Sequence, residues 1–210
     1  MAWNAKIRGG YIRTSIEAIE NANMIYALLN GKGWTLNAVC GLLGNMGAES
    51  GYNPWRWQSD RVGLSTGSPW TNKGYGFTQF TPGGKYINSP DAKSAPGYAP
   101  NFSDKTGSPS DGYAQIIFVD AHADYYQTSE YPESYADFKT SMETPQYLAK
   151  AWLYNYERPA DPGATEEARA ENADYWYTVL SGGPPPDPPD PPDPHRSNRK
   201  MPLWMYLKKI

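Results

Sequence analysis

Residues 41–54 read GLLGNMGAESGYNP, an apolar run that closes on a single carboxylate, Glu49, followed by Ser50, Gly51 and a turn. Upstream, Thr35 is placed as an N-cap, and Leu36, Val39, Cys40, Leu43 and Met46 fall on one stripe at helical spacing. A helix from residue 35 is expected, with Gly51 as its C-terminal stop. Gly41, Gly44 and Gly47 lie inside it. Each costs ~1 kcal/mol relative to Ala. Three at a spacing of three leave a smooth strip against which a second helix packs, or a ligand approaches.

Glu49 is the candidate reactive group. A glycosidic oxygen leaves only with a proton, and a carboxylic acid supplies one if it stays protonated near the working pH. Burial and the carbonyl end of a helix both disfavour the anion there. The competing assignment is a solvated Glu at a helix end.

Further helices are expected over 15–30, with Ser15 as N-cap, over 113–127, around 134–141, over 145–156 behind the Thr144-Pro145 pair, and over 164–180. Residues 52–75 read as loop or short hairpin. Residues 83–112, rich in Gly, Pro, Ser and Asn, read as a long loop, which in a compact domain is usually functional. Residues 184–194, PPPDPPDPPDP, read as an extended polyproline spacer. Beyond it, 195–210 carries Met201 to Leu207 between basic flanks, suited to docking into a partner or lying at a membrane surface. The expected organisation is thus a body (1–183), a linker (184–194) and a docking segment (195–210).

Composition narrows the classes. The lone Cys40 excludes an internal disulfide framework, and two distant His residues make a zinc site unexpected. Cofactors are not called for. The first ten residues lack an apolar core of signal-peptide length, so action outside a cytoplasm requires another means of delivery. The net charge is −3, and outside 184–210 acidic residues outnumber basic ones by five, which argues against nucleic acid as the partner. Eight Trp and seventeen Tyr suit both a core and the apolar faces of sugars. Trp55, Trp57, Trp70, Tyr75, Phe77 and Phe80 flank the acid in sequence, and about half are expected in the core.

Three segments in order carry a resemblance: Glu49-Ser50, then Gly76-Phe77-Thr78-Gln79, then Tyr154-Asn155. Together they resemble the signature of goose-type lysozymes and lytic transglycosylases. The fuller wording, GLLGNMGAESGYNP, GYGFTQFTP and NYERP, is similar to the phage tail lysozyme domain family over roughly residues 15–180. The resemblance implies a mainly α, lysozyme-like fold of the α+β class with little strand. It implies cleavage of the β-1,4 bond of peptidoglycan, with Glu49 as general acid. Ser50 and Gln79 would hold substrate or order Glu49, the Tyr154-Asn155 pair would line the cleft with Tyr154 near the acid, and, from the stacking of aromatic faces on sugars, Tyr75 and Phe77 are candidate subsites, with Glu157 a further substrate contact. It further implies a phage virion, with glycan strands and other tail proteins as partners, the latter met through 195–210. For the second carboxylate the candidates are Asp60, which beside Arg61 could equally be a surface ion pair, and Glu157, which beside Arg158 could be a structural pair. If neither faces Glu49, the N-acetyl group of the substrate or its 6-hydroxyl would complete the reaction. The latter is the lytic transglycosylase outcome.

Overall fold

Ser15 and Thr35 do start helices in the computed structural model, which describes residues 3–60, 72–101 and 107–183. The side chain of Ser15 accepts from the Ala18 amide and begins α1 (Ile16–Asn30); that of Thr35 accepts from the Ala38 amide and begins α2 (Leu36–Glu49). The remaining α-helices are α3 (Gly84–Ile87), α4 (Pro90–Ser94), α5 (Asp111–His122), α6 (Tyr135–Thr140), α7 (Pro145–Trp152) and α8 (Glu166–Leu180). Extended pairing among the described residues is limited to isolated bridges joining Trp57 to Tyr75 and Tyr75 to Phe80. The expectation of a mainly helical fold with little strand holds.

The axis of the fold is α2. All nine residues from 38 to 46 are buried, not only the expected stripe. A helix that is apolar all round belongs in the interior. Here α1, α7 and α8 enclose it. The glycine strip is what lets them close in. A Cβ on Gly41 would stand 2.8 Å from Leu148 Cβ on α7, and one on Gly44 would stand 2.5 Å from the Arg169 carbonyl oxygen on α8. On Gly47 it would meet the Tyr52 hydroxyl at 2.4 Å. The strip therefore serves helix packing, and different glycines admit different neighbours.

Three expectations are corrected. Residues 83–112 are not one long loop: α3 and α4 occupy part of the segment, and α5 begins at Asp111. Ser89 caps α4 by accepting from the Ala92 amide, with Pro90 at the first helical position. The segment is also pinned from within. The buried Asp111 carboxylate accepts from the Tyr75 and Tyr86 hydroxyls, the Ala99 amide and Gln115 Nε2, at 2.7–2.9 Å. Second, the helix expected over 145–156 is α-helical only to Trp152, then widens into a π-helical turn, Leu153–Glu157, that ends on Arg158 in the left-handed region. Such widened turns re-aim side chains and recur at functional sites.

The helix expected over 113–127 stops at His122, where Ala123 turns extended. No described helix is long and apolar enough to cross a membrane. The linker 184–194, the segment 195–210, Trp70 and Arg61 lie outside the described residues.

Candidate active site

The last turn of α2 delivers Glu49 to the edge of a groove of about 840 Å³. Its wall also includes Gln79 and Phe80 from the 74–82 turn, Phe118 from α5, and Tyr156 and Glu157 from the π-helical turn. Four chain segments far apart in sequence thus converge on one concavity.

Ser50 joins the first two. It is fully buried, and its hydroxyl donates to the Phe77 carbonyl at 2.8 Å. This ties the end of α2 to the 74–82 turn, so Ser50 orders Glu49 and does not line the groove. Gln79 does line it, with φ of +48°, while its Nε2 donates to the carbonyls of Arg56 and Gly76 at 2.9 and 3.1 Å. Those bonds fix the turn, and among the described residues Oε1 accepts no hydrogen bond.

Glu49 is not the solitary carboxyl that its sequence context suggests. Arg169 of α8 donates from Nη2 to Glu49 Oε1 at 2.7 Å. The same guanidinium donates from Nη1 to the Asn45 carbonyl and to Asn45 Oδ1, at 3.3 and 3.0 Å. Asn45 in turn donates to the Gly41 carbonyl and, across the helix interface, to the Ala149 carbonyl of α7. A buried polar chain therefore runs from α7 through α2 to α8 and ends on Glu49. The acid keeps 21% of its side chain exposed and Arg169 only 7%. Both residues line the groove, the carboxyl being the more exposed of the two.

Of the two candidates for the second carboxylate, Glu157 lines this groove and Asp60 does not. Burial, then the nearby Glu49 charge, pushes the Glu157 carboxyl well above the usual range. Arg169, a hydrogen bond from Trp152 Nε1 at 3.1 Å, and Arg158 act in the opposite direction. Arg158 is not its ion-pair partner: the guanidinium lies over the Tyr126 ring, 4.5 Å from its centroid. Asp60 sits outside the groove wall, accepting from the Gly9 amide at 2.8 Å and pairing with Arg56 Nε at 3.2 Å. It staples the N-terminal segment to the 52–60 loop.

The remaining expectations divide in the same way. Tyr75 and Phe77 are fully buried and outside the groove wall, Tyr75 holding Asp111 and Phe77 packing on Trp3 with centroids 5.3 Å apart. Tyr154 turns away, its hydroxyl donating to Glu166, and Asn155 is buried with its amide on the Tyr131 carbonyl. The tyrosine that reaches the groove is Tyr156, two residues on, 3.3 Å from the Thr78 hydroxyl. The π-helical turn changes the angular phase, so an α-helical projection misplaces these residues. Of the flanking aromatics that are described, Trp57, Tyr75, Phe77 and Phe80 are buried, and only Phe80 touches the groove. More of them are core than expected.

Arg169, Asn45 and Tyr156 went unnoticed in the sequence. Asn45 gave the one usable signal: a polar residue within an apolar helix, four positions before Glu49 and so on its face. Arg169 gave none, because its partner lies 120 residues away. The groove wall also includes Lys85, His122 and Asp124. Lys85 pairs with Asp124, and His122 contacts Asp91 at 3.1 Å. Among the described residues no cluster of His, Cys, Asp and Glu is arranged to hold a metal.

Helices wrapped on a central helix whose end carries a carboxyl into an open groove define a lysozyme-like protein. A profile of the phage tail lysozyme family matches residues 20–180, and the chain belongs to that family. It is also 34% identical over 171 residues to Morphogenesis protein 1 of Bacillus phage B103. That alignment takes in 79% of this chain and 40% of the phage B103 protein, so the chain spans well under half the length of this curated relative. The protein is accordingly phage-associated and lysozyme-like.

Proposed function

We propose that the protein cleaves the β-1,4 glycosidic bond of peptidoglycan, with Glu49 donating a proton to the leaving oxygen. The observation that carries this is the convergence of Glu49, Gln79 and Glu157 on one groove from three separate segments. The groove, at about 840 Å³, is large enough for sugar units, and Phe80 and Phe118 offer it apolar surface. Hydrolysis is favoured because a second carboxylate, Glu157, shares the groove with the acid. Its role is substrate-side as well as chemical, since it lines the groove beside Tyr156.

Lytic transglycosylation is the second reading. It is favoured by the placement of Asp60 outside the groove, which removes one candidate for activating water. The proposed setting is the tail of a virion, where local wall opening permits genome delivery. Segment 195–210 would attach the enzyme to other tail proteins, and tethering would supply the local concentration that its acidic body does not.

Glu49→Gln assayed on purified walls tests the central step. Loss of clearing is expected, with melting curves recorded to confirm that the variant is folded at the assay temperature. Undiminished clearing would remove Glu49 from the mechanism and leave a glycan-binding protein. Mass spectrometry of the wild-type products separates the chemistries: reducing ends mean hydrolysis, and anhydro ends mean transglycosylation.

A further inference from the structure

Among the described residues, one cation of the groove has no anion. Lys85 pairs with Asp124, His122 contacts Asp91 and Arg169 holds Glu49. Arg158 also lines the groove, but its guanidinium makes no ion pair or hydrogen bond with any described residue. It lies instead over the Tyr126 ring, 4.5 Å from the centroid, and Tyr126 is itself 60% exposed.

Both members of this platform are anchored through the backbone. The Arg158 amide donates to the Leu153 carbonyl at 2.8 Å, closing the π-helical turn. The Tyr126 amide donates to the carbonyl of the buried Asn155 at 2.9 Å. Arg158 also holds φ +48° and ψ +53°, a left-handed conformation that glycine or asparagine adopts at lower cost. Backbone strain of this kind clusters at active sites and ligand clamps. Here it accompanies the parting of two neighbours: Glu157 accepts from Trp152 Nε1 at 3.1 Å, while Arg158 reaches Tyr126. An acid and a base adjacent in sequence thus do not pair with each other. An aromatic face offers no lone pair, so the planar fork of N–H donors remains for an oxyanion, which it suits bidentately.

Resting on the reading that peptidoglycan is the substrate, we propose that Arg158, on its Tyr126 platform, is a specificity-determining residue that binds a carboxylate on the muramyl branch of the glycan strand. That branch is what separates peptidoglycan from an uncharged β-1,4 glycan. Alternate sugars carry a lactyl group, extended by a peptide with free carboxylates. Outside 184–210, acidic residues outnumber basic ones by five, so the field of the whole body does not draw in an anionic strand. Recognition of its charge has to be local, and Arg158 supplies it in the same wall as Glu157. Because only alternate sugars bear the branch, the contact also sets the register of the strand along the groove.

The test is a set of binding isotherms for the full chain in the Glu49→Gln background, which keeps the strands uncut. The parent is compared with Arg158→Gln and Arg158→Lys, and melting curves check that each is folded. The probes are soluble glycan strands with their peptides, the same strands with every carboxylate converted to a methylamide, and strands stripped of peptide by an amidase. On untreated strands Arg158→Gln should weaken binding about three- to tenfold, and Arg158→Lys by less. On methylamidated strands the difference should vanish. A difference that remains on stripped strands supports the contact through the lactyl carboxylate, and one lost there supports it through the peptide. Equal affinity of the parent and Arg158→Gln for untreated strands would overturn the subsite. So would a difference that survives methylamidation, which is the mark of a merely structural role. Failure of the underlying reading looks different. Undiminished wall clearing by Glu49→Gln would remove the acid and leave the charge-dependent affinities standing, whereas a parent that binds none of the three strands would overturn substrate class and subsite together.

Discussion

Gly44→Ala tests whether helix packing sets the position of the acid and its cation. The added Cβ would lie 2.5 Å from the Arg169 carbonyl oxygen, 3.0 Å from Ala173 Cβ and 3.1 Å from the Ala173 amide nitrogen. Ordinary contacts begin at 3.4 Å, so α8 must retreat by the difference, 0.9 Å, at Arg169. Both backbone atoms belong to a helix packed on α2 and α7, so no side-chain rotation relieves the clash. Overpacking of this kind costs about 1–3 kcal/mol, and replacing Gly by Ala within a helix returns ~1 kcal/mol. Backbone contacts place the cost at its upper end, for a net loss of about 1–2 kcal/mol and a melting temperature lowered by about 5 °C. The same retreat draws the guanidinium from Glu49, and a misplacement of ~1 Å near reacting groups costs on the order of a hundredfold in rate. Differential scanning calorimetry and wall clearing at a temperature where the variant is fully folded measure the two effects separately. A variant with a wild-type melting temperature and rate would refute the close approach of α2 and α8 at this glycine.

Asp111→Ala should cost at least about 4 kcal/mol in urea denaturation. It strands the Tyr75 and Tyr86 hydroxyls, Gln115 Nε2 and the Ala99 amide, each a buried donor worth ~1–3 kcal/mol when unpaired. A loss below ~1 kcal/mol would contradict the hub. Glu157 sets a pH slope of known sign. Its folded-state affinity for protons exceeds the unfolded one, so its contribution is fully present below the ordinary Glu range and is lost as pH rises through the raised folded value. Glu157→Gln should flatten that decline by up to about 1.4 kcal/mol per pH unit, and parallel wild-type and variant stability curves would contradict it.

The sequence by itself determined the helices and the acid. Hydroxyl caps at Ser15 and Thr35, the Thr144-Pro145 pair and the apolar run before Glu49 are local signals, because capping and helical periodicity act within a few residues. The glycine strip was legible as a packing surface for the same reason, although not which neighbour each glycine admits. The GFTQ turn was legible as a unit, and Gln79 does reach the groove. The role of the other carboxylates was left to tertiary structure. Asp60 and Glu157 look alike in sequence, each an acid beside an arginine, yet one staples a loop and the other lines the groove with Glu49. Tyr154 and Tyr156 exchange places because hydrogen bonding in the 153–157 turn slips from α to π. Arg169 reaches Glu49 only through the close contact at Gly44. Charge pairing across 120 residues is decided by which surfaces pack, and packing is a property of the whole core.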